Sequence, residues 1–317
     1  MDGDVLKNIA AGVGFTCLIF AATLYIPIIG FISAVVIPLP VCYYRYKLGR
    51  PAGGLMLAAS CVVMTIMAEG LSFDLALFTV LLILGFVLGE MFDEKTSVEK
   101  TVLYPCLSVI GSGIALALFY SAFSQTDFSS LADRYVKQNL ELTLELYRQM
   151  AMPEETLQTL SRSLETIQYV LVRVIPGMAL MSTLFVTWVN LLMTRSLVRF
   201  RGLKTPDFGD LNQWKSPEIL VWVVIAGGVM LLIPVKSLKI IGLNIVLGLI
   251  MIYFIQGISI VSFYFNKRKF PRILRGVLYG LIGVQQVFSM LVIGLGFFDL
   301  WIDFRKINKN EKLNSES

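Results

Sequence analysis

The chain of 317 residues is 56% apolar and only 15% charged, and its mean hydropathy is +0.74. Soluble domains carry about 25% charged residues, so this composition excludes a water-soluble globular protein and indicates a polytopic membrane protein. The net charge of +5 is typical of basic cytoplasmic loops and gives no reason to expect a nucleic-acid partner.

Apolar segments of the length that a bilayer requires, about 20 residues, follow one another along most of the chain. The second contains Pro38 and Pro40, which kink or unwind a helix. We predict an all-α integral membrane protein, a helical bundle of about nine spans. The predicted spans are residues 8–26, 28–44, 52–68, 71–89, 101–123, 169–194, 218–235, 238–265 and 276–301.

The stretch 124–168 is too polar to cross a membrane and too periodic to be disordered. Met152-Pro153-Glu154-Glu155 has the pattern of a helix start, with proline at the first position and acids in the first turn. We predict an amphipathic helical hairpin whose second arm continues into the sixth span. Its two apolar stripes have helical spacing and comprise Leu140, Leu144 and Tyr147, then Leu157, Leu160, Leu164 and Ile167.

The distribution of Lys and Arg predicts the orientation. Loops 45–50, 91–100, 195–217 and 266–275 carry more than twice as many basic residues as the loops on the opposite side. We therefore expect an inner (plasma) membrane protein with a cytoplasmic N-terminus and an external hairpin.

The C-terminal tail conflicts with this scheme, because nine spans place it outside although it contains Arg305 and Lys306. Either one span is broken or re-entrant, which leaves eight crossings, or the acids of the tail dilute the rule. The predicted domains are a five-span bundle (1–123), the hairpin (124–168), a four-span bundle (169–302) and a polar tail (303–317).

Signals of catalysis are missing from the sequence. It has no histidine, which excludes Ser-His-Asp chemistry and His-ligated metal or haem, and no P-loop motif. No pair of carboxylates lies at span centres, as an aspartyl intramembrane protease would require. The four cysteines lie in apolar segments without a C-x-x-C pair, which indicates buried residues rather than a metal or redox site. We expect no enzyme activity, no cofactor and no metal.

Polar residues that the bilayer penalises are the candidate ligand-binding residues. Arg173 enters the sixth span just before Pro176-Gly177, and Glu69 and Asp74 flank the turn between the third and fourth spans. With the deeper Asn244 they form our hypothetical site for a polar or charged ligand in an outward-facing cavity. The alternative is that Arg173 reaches the interface and both acids face water.

Four further intramembrane polar residues favour hydrogen bonds between helices, although they could also line a substrate path. They are Asn190, Gln256, Gln285 and Gln286, and the last two lie near the middle of the ninth span. Ala10 and Gly14, four residues apart on the first span, favour close approach of another helix.

The layout of these motifs resembles the YybS-like family of bacterial multi-pass membrane proteins over about residues 5–302. The resemblance rests on the prolines of the second segment, the Arg-x-Lys-x-Gly-Arg-Pro loop at 45–51 followed by Gly53-Gly54, and the insertion before Pro176-Gly177. The first five or six spans are in turn similar to the substrate-binding S components of energy-coupling-factor vitamin transporters.

The similarity to S components implies that ligand binds near the outer face and that a small-x-x-x-small pattern on the first span docks to a coupling subunit. Ala10 and Gly14 match that pattern in part. The chain departs from S components in its length, in its hairpin and in lacking a vitamin-specific motif.

Two functional hypotheses follow. The first is a transporter-like protein that binds a small polar or charged ligand. The second is a membrane scaffold or regulator that holds other membrane or envelope proteins through the hairpin and the cytoplasmic loops. Membrane lipids are expected partners in both cases.

Overall fold

The protein is all-helical in a computed structural model, which describes residues 3–70, 73–94, 96–124, 128–150 and 152–306. Helix accounts for 86% of the structure, and no strand occurs among these residues, which confirms the predicted all-α class. A 3₁₀ turn, Leu211–Gln213, precedes α9. The helices are α1 (Gly3–Tyr25), α2 (Pro27–Val36), α3 (Pro38–Leu48), α4 (Arg50–Met67), α5 (Phe73–Asp93), α6 (Val98–Ser124), α7 (Phe128–Gln149), α8 (Glu154–Phe200), α9 (Ile219–Leu232), α10 (Lys236–Lys267), α11 (Arg272–Val284) and α12 (Gln286–Ile302).

Among the described residues, six helices are long and apolar enough to cross a membrane by themselves: α1, α4, α5, α6, α8 and α10. The pair α11 and α12 makes a seventh if it is one span, but its two helices are bent by 98° at the break between them. The expected count of nine is not confirmed. Two other expected spans differ in the structure. The second is divided at Pro38 into α2 and α3, and the seventh corresponds to α9, which has only 14 residues.

Proline and glycine set several of these boundaries. Pro27 and Pro38 occupy the first positions of α2 and α3, where the missing N–H costs nothing. The same residues end the preceding helices, because a proline cannot continue a helix without losing a hydrogen bond. Gly49, with φ of 89°, ends α3 in a conformation that other residues rarely adopt.

The polar insertion forms two helices, as its periodicity predicted. α7 ends at Gln149, and α8 begins at Glu154, directly after Pro153. α8 then continues without interruption for 47 residues, about 70 Å at the usual rise per residue. That length is more than twice the hydrocarbon thickness of about 30 Å, so the polar first part of α8 projects beyond it. The external side of the insertion stays a prediction.

The chain divides into two compact units that do not follow chain order. The first comprises Met1–Tyr135 and Ser182–Phe208, and the second comprises Val136–Met181 and Gly209–Ser317. The predicted domain boundaries at 123, 168 and 302 stay a prediction.

In the first unit, α3 lies tightly against α5. A Cβ added at Gly85 would overlap the Pro38 carbonyl oxygen, and one at Gly89 would lie 2.8 Å from the Cys42 carbonyl oxygen. In the second unit α10 and α12 are equally close, since a Cβ at Gly257 would overlap the Val292 carbonyl oxygen. Glycine at these positions lets the backbones touch.

Candidate functional site

A polar seam lies inside the first unit. We give this name to four residues of α8, Thr183, Thr187, Asn190 and Thr194, which are between 0% and 7% exposed. Their spacing of four, three and four residues puts them on one face of the helix. A continuous buried polar face is unusual in an apolar helix, because each buried polar group needs a hydrogen-bond partner.

Two hydroxyl groups of the seam bond to backbone and cysteine. Thr187 Oγ1 donates to the Thr183 carbonyl over 2.7 Å and lies 3.6 Å from the Cys106 sulfur on α6. Thr194 Oγ1 donates to the Cys42 sulfur on α3 over 3.3 Å. The seam is therefore lined by neutral groups from three helices.

Asn190 is the residue of the seam with spare hydrogen-bonding capacity. Its amide nitrogen donates to the Val35 carbonyl at 2.8 Å and to the Val186 carbonyl at 2.7 Å. Its amide oxygen is fully buried and accepts no hydrogen bond within the described part of the protein. Val35 lies in the last turn of α2, three residues before Pro38, so Asn190 satisfies a carbonyl that the interrupted helix leaves without its usual partner.

A buried ion cluster lies one helical turn beyond Cys42 on α3. The Arg45 side chain is 3% exposed, and its Nε and Nη2 donate to the same Glu90 carboxylate oxygen at 2.9 and 2.6 Å. Its Nη1 lies 3.4 Å from Asp93. A Cβ at Gly53 would lie 2.9 Å from Arg45, and one at Gly89 would lie 2.8 Å from it. The glycines thus make room for the stem of the arginine, and the cluster fixes α3 to the end of α5.

Tyr46, next to this cluster, donates its hydroxyl to the Lys204 carbonyl. Burial and the nearby Asp93 carboxylate raise the pKa of Tyr46 above its ordinary value. The phenol therefore stays protonated, as donation requires.

In the second unit the structure brings together two residues of the predicted ligand site, Arg173 and Asn244. The Asn244 amide nitrogen donates to the Arg173 carbonyl at 2.8 Å, and its oxygen accepts from the Gly177 N–H at 2.7 Å. Residues 173 and 177 are the pair that a regular α-helix joins directly. The Asn244 amide bridges this pair beside Pro176, and its second hydrogen goes to the Ile240 carbonyl.

The other members of that predicted site lie in different surroundings. The Arg173 guanidinium is exposed and stacks on the Tyr169 ring, 3.6 Å from its centroid. Glu69, in the first unit, is exposed at the end of α4 with φ of 55°. The side chain of Asp74 lies outside the described residues. The role of these residues in ligand binding stays a prediction.

Gln256 belongs to a buried network that the sequence did not reveal. Asp299 and Arg305 form an ion pair of 2.7 Å in which both side chains are 0% exposed. Gln256 donates to Asp299 at 3.2 Å and accepts from Ser216 in the loop before α9. This network ties the end of α12 and the loop before α9 to α10.

Neutral oxygens also contact Arg305, although its buried Nε has no hydrogen-bond partner among the described residues. Its Nη1 donates to the carbonyls of Asn212 and Trp214 at 2.9 and 3.0 Å and to Ser259 Oγ at 2.9 Å. The Phe304 N–H donates to Asp299 at 3.1 Å. Every partner comes from the second unit, so the network holds that unit together at one end of α10.

We had expected Gln285 and Gln286 near the middle of a continuous span, but they lie at the break between two helices. Gln285 has extended backbone dihedrals and separates α11 from α12, and Gln286 is the first residue of α12. Both side chains are exposed. Ala10 and Gly14 lie on an exposed face of α1, and a Cβ at Gly14 would meet nothing within 4 Å.

The sequence reasoning named Asn190 and Gln256 but missed their surroundings. The three seam threonines were detectable, because polar residues at helical spacing in an apolar segment form one face. The sequence placed Asp299 near the end of the ninth span and Arg305 in the polar tail, because their burial depends on a loop that is distant in sequence. No group of three or more His, Cys, Asp or Glu side chains that could hold a metal ion occurs among the described residues.

Comparisons with known proteins agree that the chain is a membrane protein. The chain is 23% identical over 313 residues to a Bacillus subtilis (strain 168) protein described as uncharacterized protein YybS, and the match covers 96% of each chain. No solved structure matches the chain. The model of a family described as predicted membrane protein, DUF2232, matches residues 14–300. The chain therefore belongs to the DUF2232 family of membrane proteins.

Proposed function

We propose that the protein is a transporter-like, non-enzymatic protein of the bacterial inner membrane that binds a small polar solute at the polar seam of its first unit. The observation that carries this proposal is the buried amide oxygen of Asn190, which has no partner among the described residues. A buried acceptor without a hydrogen bond costs about 1–3 kcal/mol, so a solute that donates to it gains that amount on binding.

The chemistry of the seam restricts the solute. Its groups are hydroxyls, thiols and one amide, none of which carries charge, and the nearest ion cluster neutralises its own arginine through Glu90. A charged solute would lose its hydration without gaining a counterion. The seam therefore favours a small neutral solute with at least one hydrogen-bond donor.

The break between α2 and α3 also supports transport. Interrupted helices beside polar residues are a common feature of transporter binding sites, because unwound backbone offers carbonyl groups at membrane depth. Here the break at Pro38 lies beside Asn190. We place the N-terminus in the cytoplasm, following the basic loops.

The test is to extract and identify by mass spectrometry the small molecules that co-purify with the protein in mild detergent. Thr187→Val removes a hydroxyl with little change of shape, and Asn190→Leu removes the amide. Thr16→Val is the matched control, because Thr16 is also fully buried in the first unit but its hydroxyl donates within α1, to the Gly12 carbonyl.

A neutral molecule that is retained by the wild type and by Thr16→Val, but lost from both seam variants, is the expected result. The transporter hypothesis fails if the extracted molecules are the same for all four proteins. Thermal unfolding of each variant shows whether a loss of ligand merely reflects a loss of fold.

The scaffold hypothesis is favoured by one different observation. On α7, Leu142 and Leu146 are 64% and 58% exposed, whereas the predicted stripe of Leu140, Leu144 and Tyr147 is half-buried. If these leucines hold a partner protein, Leu142→Glu with Leu146→Glu abolishes its retention on purification and leaves the solute profile unchanged. Retention that is insensitive to both changes excludes docking through this face.

A further inference from the structure

A short extended segment follows α8 and packs against other helices of the first unit. We call residues 203–208 the strap; the structure describes all of them, and none belongs to a helix. Exposure alternates along its second half, because Pro206 and Phe208 are buried whereas Asp207 between them is exposed. An extended chain points successive side chains to opposite sides, so the strap turns an apolar face toward the unit.

Two aromatic residues form the turn that follows the end of the polar seam. The seam ends where Thr194 donates to the Cys42 sulfur on α3. Gly89 on α5 lies at the same level, since its added Cβ would be 2.8 Å from the Cys42 carbonyl oxygen. α3 and α5 run in the same direction here, and Tyr46 and Phe92 follow Cys42 and Gly89 by about one turn.

The strap closes this turn with Phe208. The Phe208 ring packs edge-on against the fully buried Phe92, with centroids 5.4 Å apart, and Phe92 lies 6.1 Å from the Tyr46 ring. The Arg195 guanidinium on α8 lies 6.0 Å from the Phe208 centroid. The Tyr46 hydroxyl donates to the Lys204 carbonyl and so anchors the other end of the strap. The strap thus contacts all three helices, α3, α5 and α8, at the end of the seam.

Glycine flanks the strap on both sides. Gly202 and Gly209 have φ of 69° and 62°, which glycine adopts without steric cost. A Cβ at either position would meet nothing within 4 Å, so the backbone at both ends lies in open space. The residues that absorb the dihedral changes of a moving loop lie at its ends. The strap therefore has the build of a flap with a glycine at each end and an aromatic side chain that closes it.

We propose that the strap is the lid of the polar seam and that withdrawal of Phe208 opens the seam for exchange of solute. This inference rests on the proposed function, because it concerns the regulation of the same site. A closed lid keeps water from the neutral groups of the seam, and hydrogen bonds to a bound solute are stronger where water is excluded. The Arg45 ion pair stays in place when the lid opens, since the stem of Arg45 is packed against glycines of α4 and α5.

The experiment measures the rate at which N-ethylmaleimide labels Cys42 in a chain whose other three cysteines are replaced by serine. Cys42 is 0% exposed and should react slowly in the closed protein. Phe208→Ala should raise the rate by about tenfold or more, because loss of a buried ring favours local opening. Phe78→Ala is the matched control: Phe78 is another buried ring in edge-on contact, with Phe20, but it lies about 16 Å along α5 from Gly89.

The comparison of the two variants decides the proposal. Phe78→Ala should label at nearly the wild-type rate. Equal increases in both variants would mean that lost stability exposes the thiol, and no increase in Phe208→Ala would mean that the strap does not guard the seam; either result refutes the lid.

A milder variant covers the case in which thermal unfolding shows that Phe208→Ala has lost its fold. Tyr46→Phe keeps the ring but removes the bond to the Lys204 carbonyl, so it should raise the rate by a smaller factor, and a wild-type rate then refutes the lid. Solute retention is measured on the same preparations. A wild-type protein that retains no solute refutes the proposed function, whereas the labelling rates decide the lid independently.

Discussion

Removal of the Asp299 carboxylate should cause a large loss of stability in the second unit. In Asp299→Leu the Arg305 guanidinium stays fully buried without its counterion, a change that typically costs 3–5 kcal/mol. The three neutral acceptors of Arg305 remain and disperse part of its charge, so we expect the lower end of that range, about 3 kcal/mol. Asp299 also accepts from Gln256 and Phe304, and each lost bond adds about 1 kcal/mol. The expected loss is therefore about 5 kcal/mol in the free energy of unfolding.

The measurement is reversible unfolding in mixed detergent micelles, followed by circular dichroism. Asp299→Leu combined with Arg305→Met removes both charges and should be more stable than Asp299→Leu alone, because an apolar pair avoids the uncompensated charge. Asp4→Ala is the control, since Asp4 and Lys7 form a fully surface-exposed pair 3.9 Å apart, and it should leave unfolding unchanged. A loss below about 1 kcal/mol for Asp299→Leu would contradict the picture of a dry ion pair.

Three further predictions concern the helix breaks and the cluster on α3. Asn244→Leu leaves the Gly177 N–H and the Arg173 carbonyl without their shared partner and should destabilise the protein by about 1–3 kcal/mol in the same assay. Gly85→Ala should cost about 1–3 kcal/mol because its Cβ overlaps the Pro38 carbonyl oxygen, whereas Gly111→Ala in open space should stabilise by up to about 1 kcal/mol. The pKa of Tyr46 is raised from 10.0 in the folded protein, so its contribution to the free energy of unfolding is complete below pH 10 and is lost as the pH rises further. In a pH series of unfolding midpoints, Tyr46→Phe should therefore lose less stability at alkaline pH than the wild type.

Much of the helical architecture could be predicted from local pattern. The restart at Pro153 and the interruption at Pro38 depend on the chemistry of single residues and their neighbours, so both appear in the structure where the sequence put them. The span count was harder, because a window of apolar residues does not distinguish one straight helix from two bent ones. Gln285 has no proline beside it, and its break becomes intelligible only with Ser289 donating to the Ile282 carbonyl across it.

Burial of charge was the least predictable feature. Arg45 and Asp299 both lie at the ends of apolar segments, where a charged residue normally faces water. Arg45 is buried against Glu90, which is distant in sequence. Asp299 pairs with Arg305, and Arg305 is buried against the distant loop at 212–216. Since no local pattern encodes these contacts, the sequence alone favoured the exposed interpretation.

The two deep asparagines explain how an apolar chain tolerates its proline breaks. Asn190 donates to the Val35 carbonyl, three residues before Pro38, and Asn244 donates to the Arg173 carbonyl, three residues before Pro176. In water a solvent molecule would satisfy such a carbonyl, but lipid has no donor. Both amides donate to a carbonyl freed by a proline break, but their oxygens differ. The Asn244 oxygen accepts a hydrogen bond from the Gly177 N–H, whereas the Asn190 oxygen accepts none among the described residues. Since repair of a break uses only the amide nitrogen at position 190, structural repair leaves the buried oxygen unexplained, and our proposed function assigns this atom to the recognition of a solute.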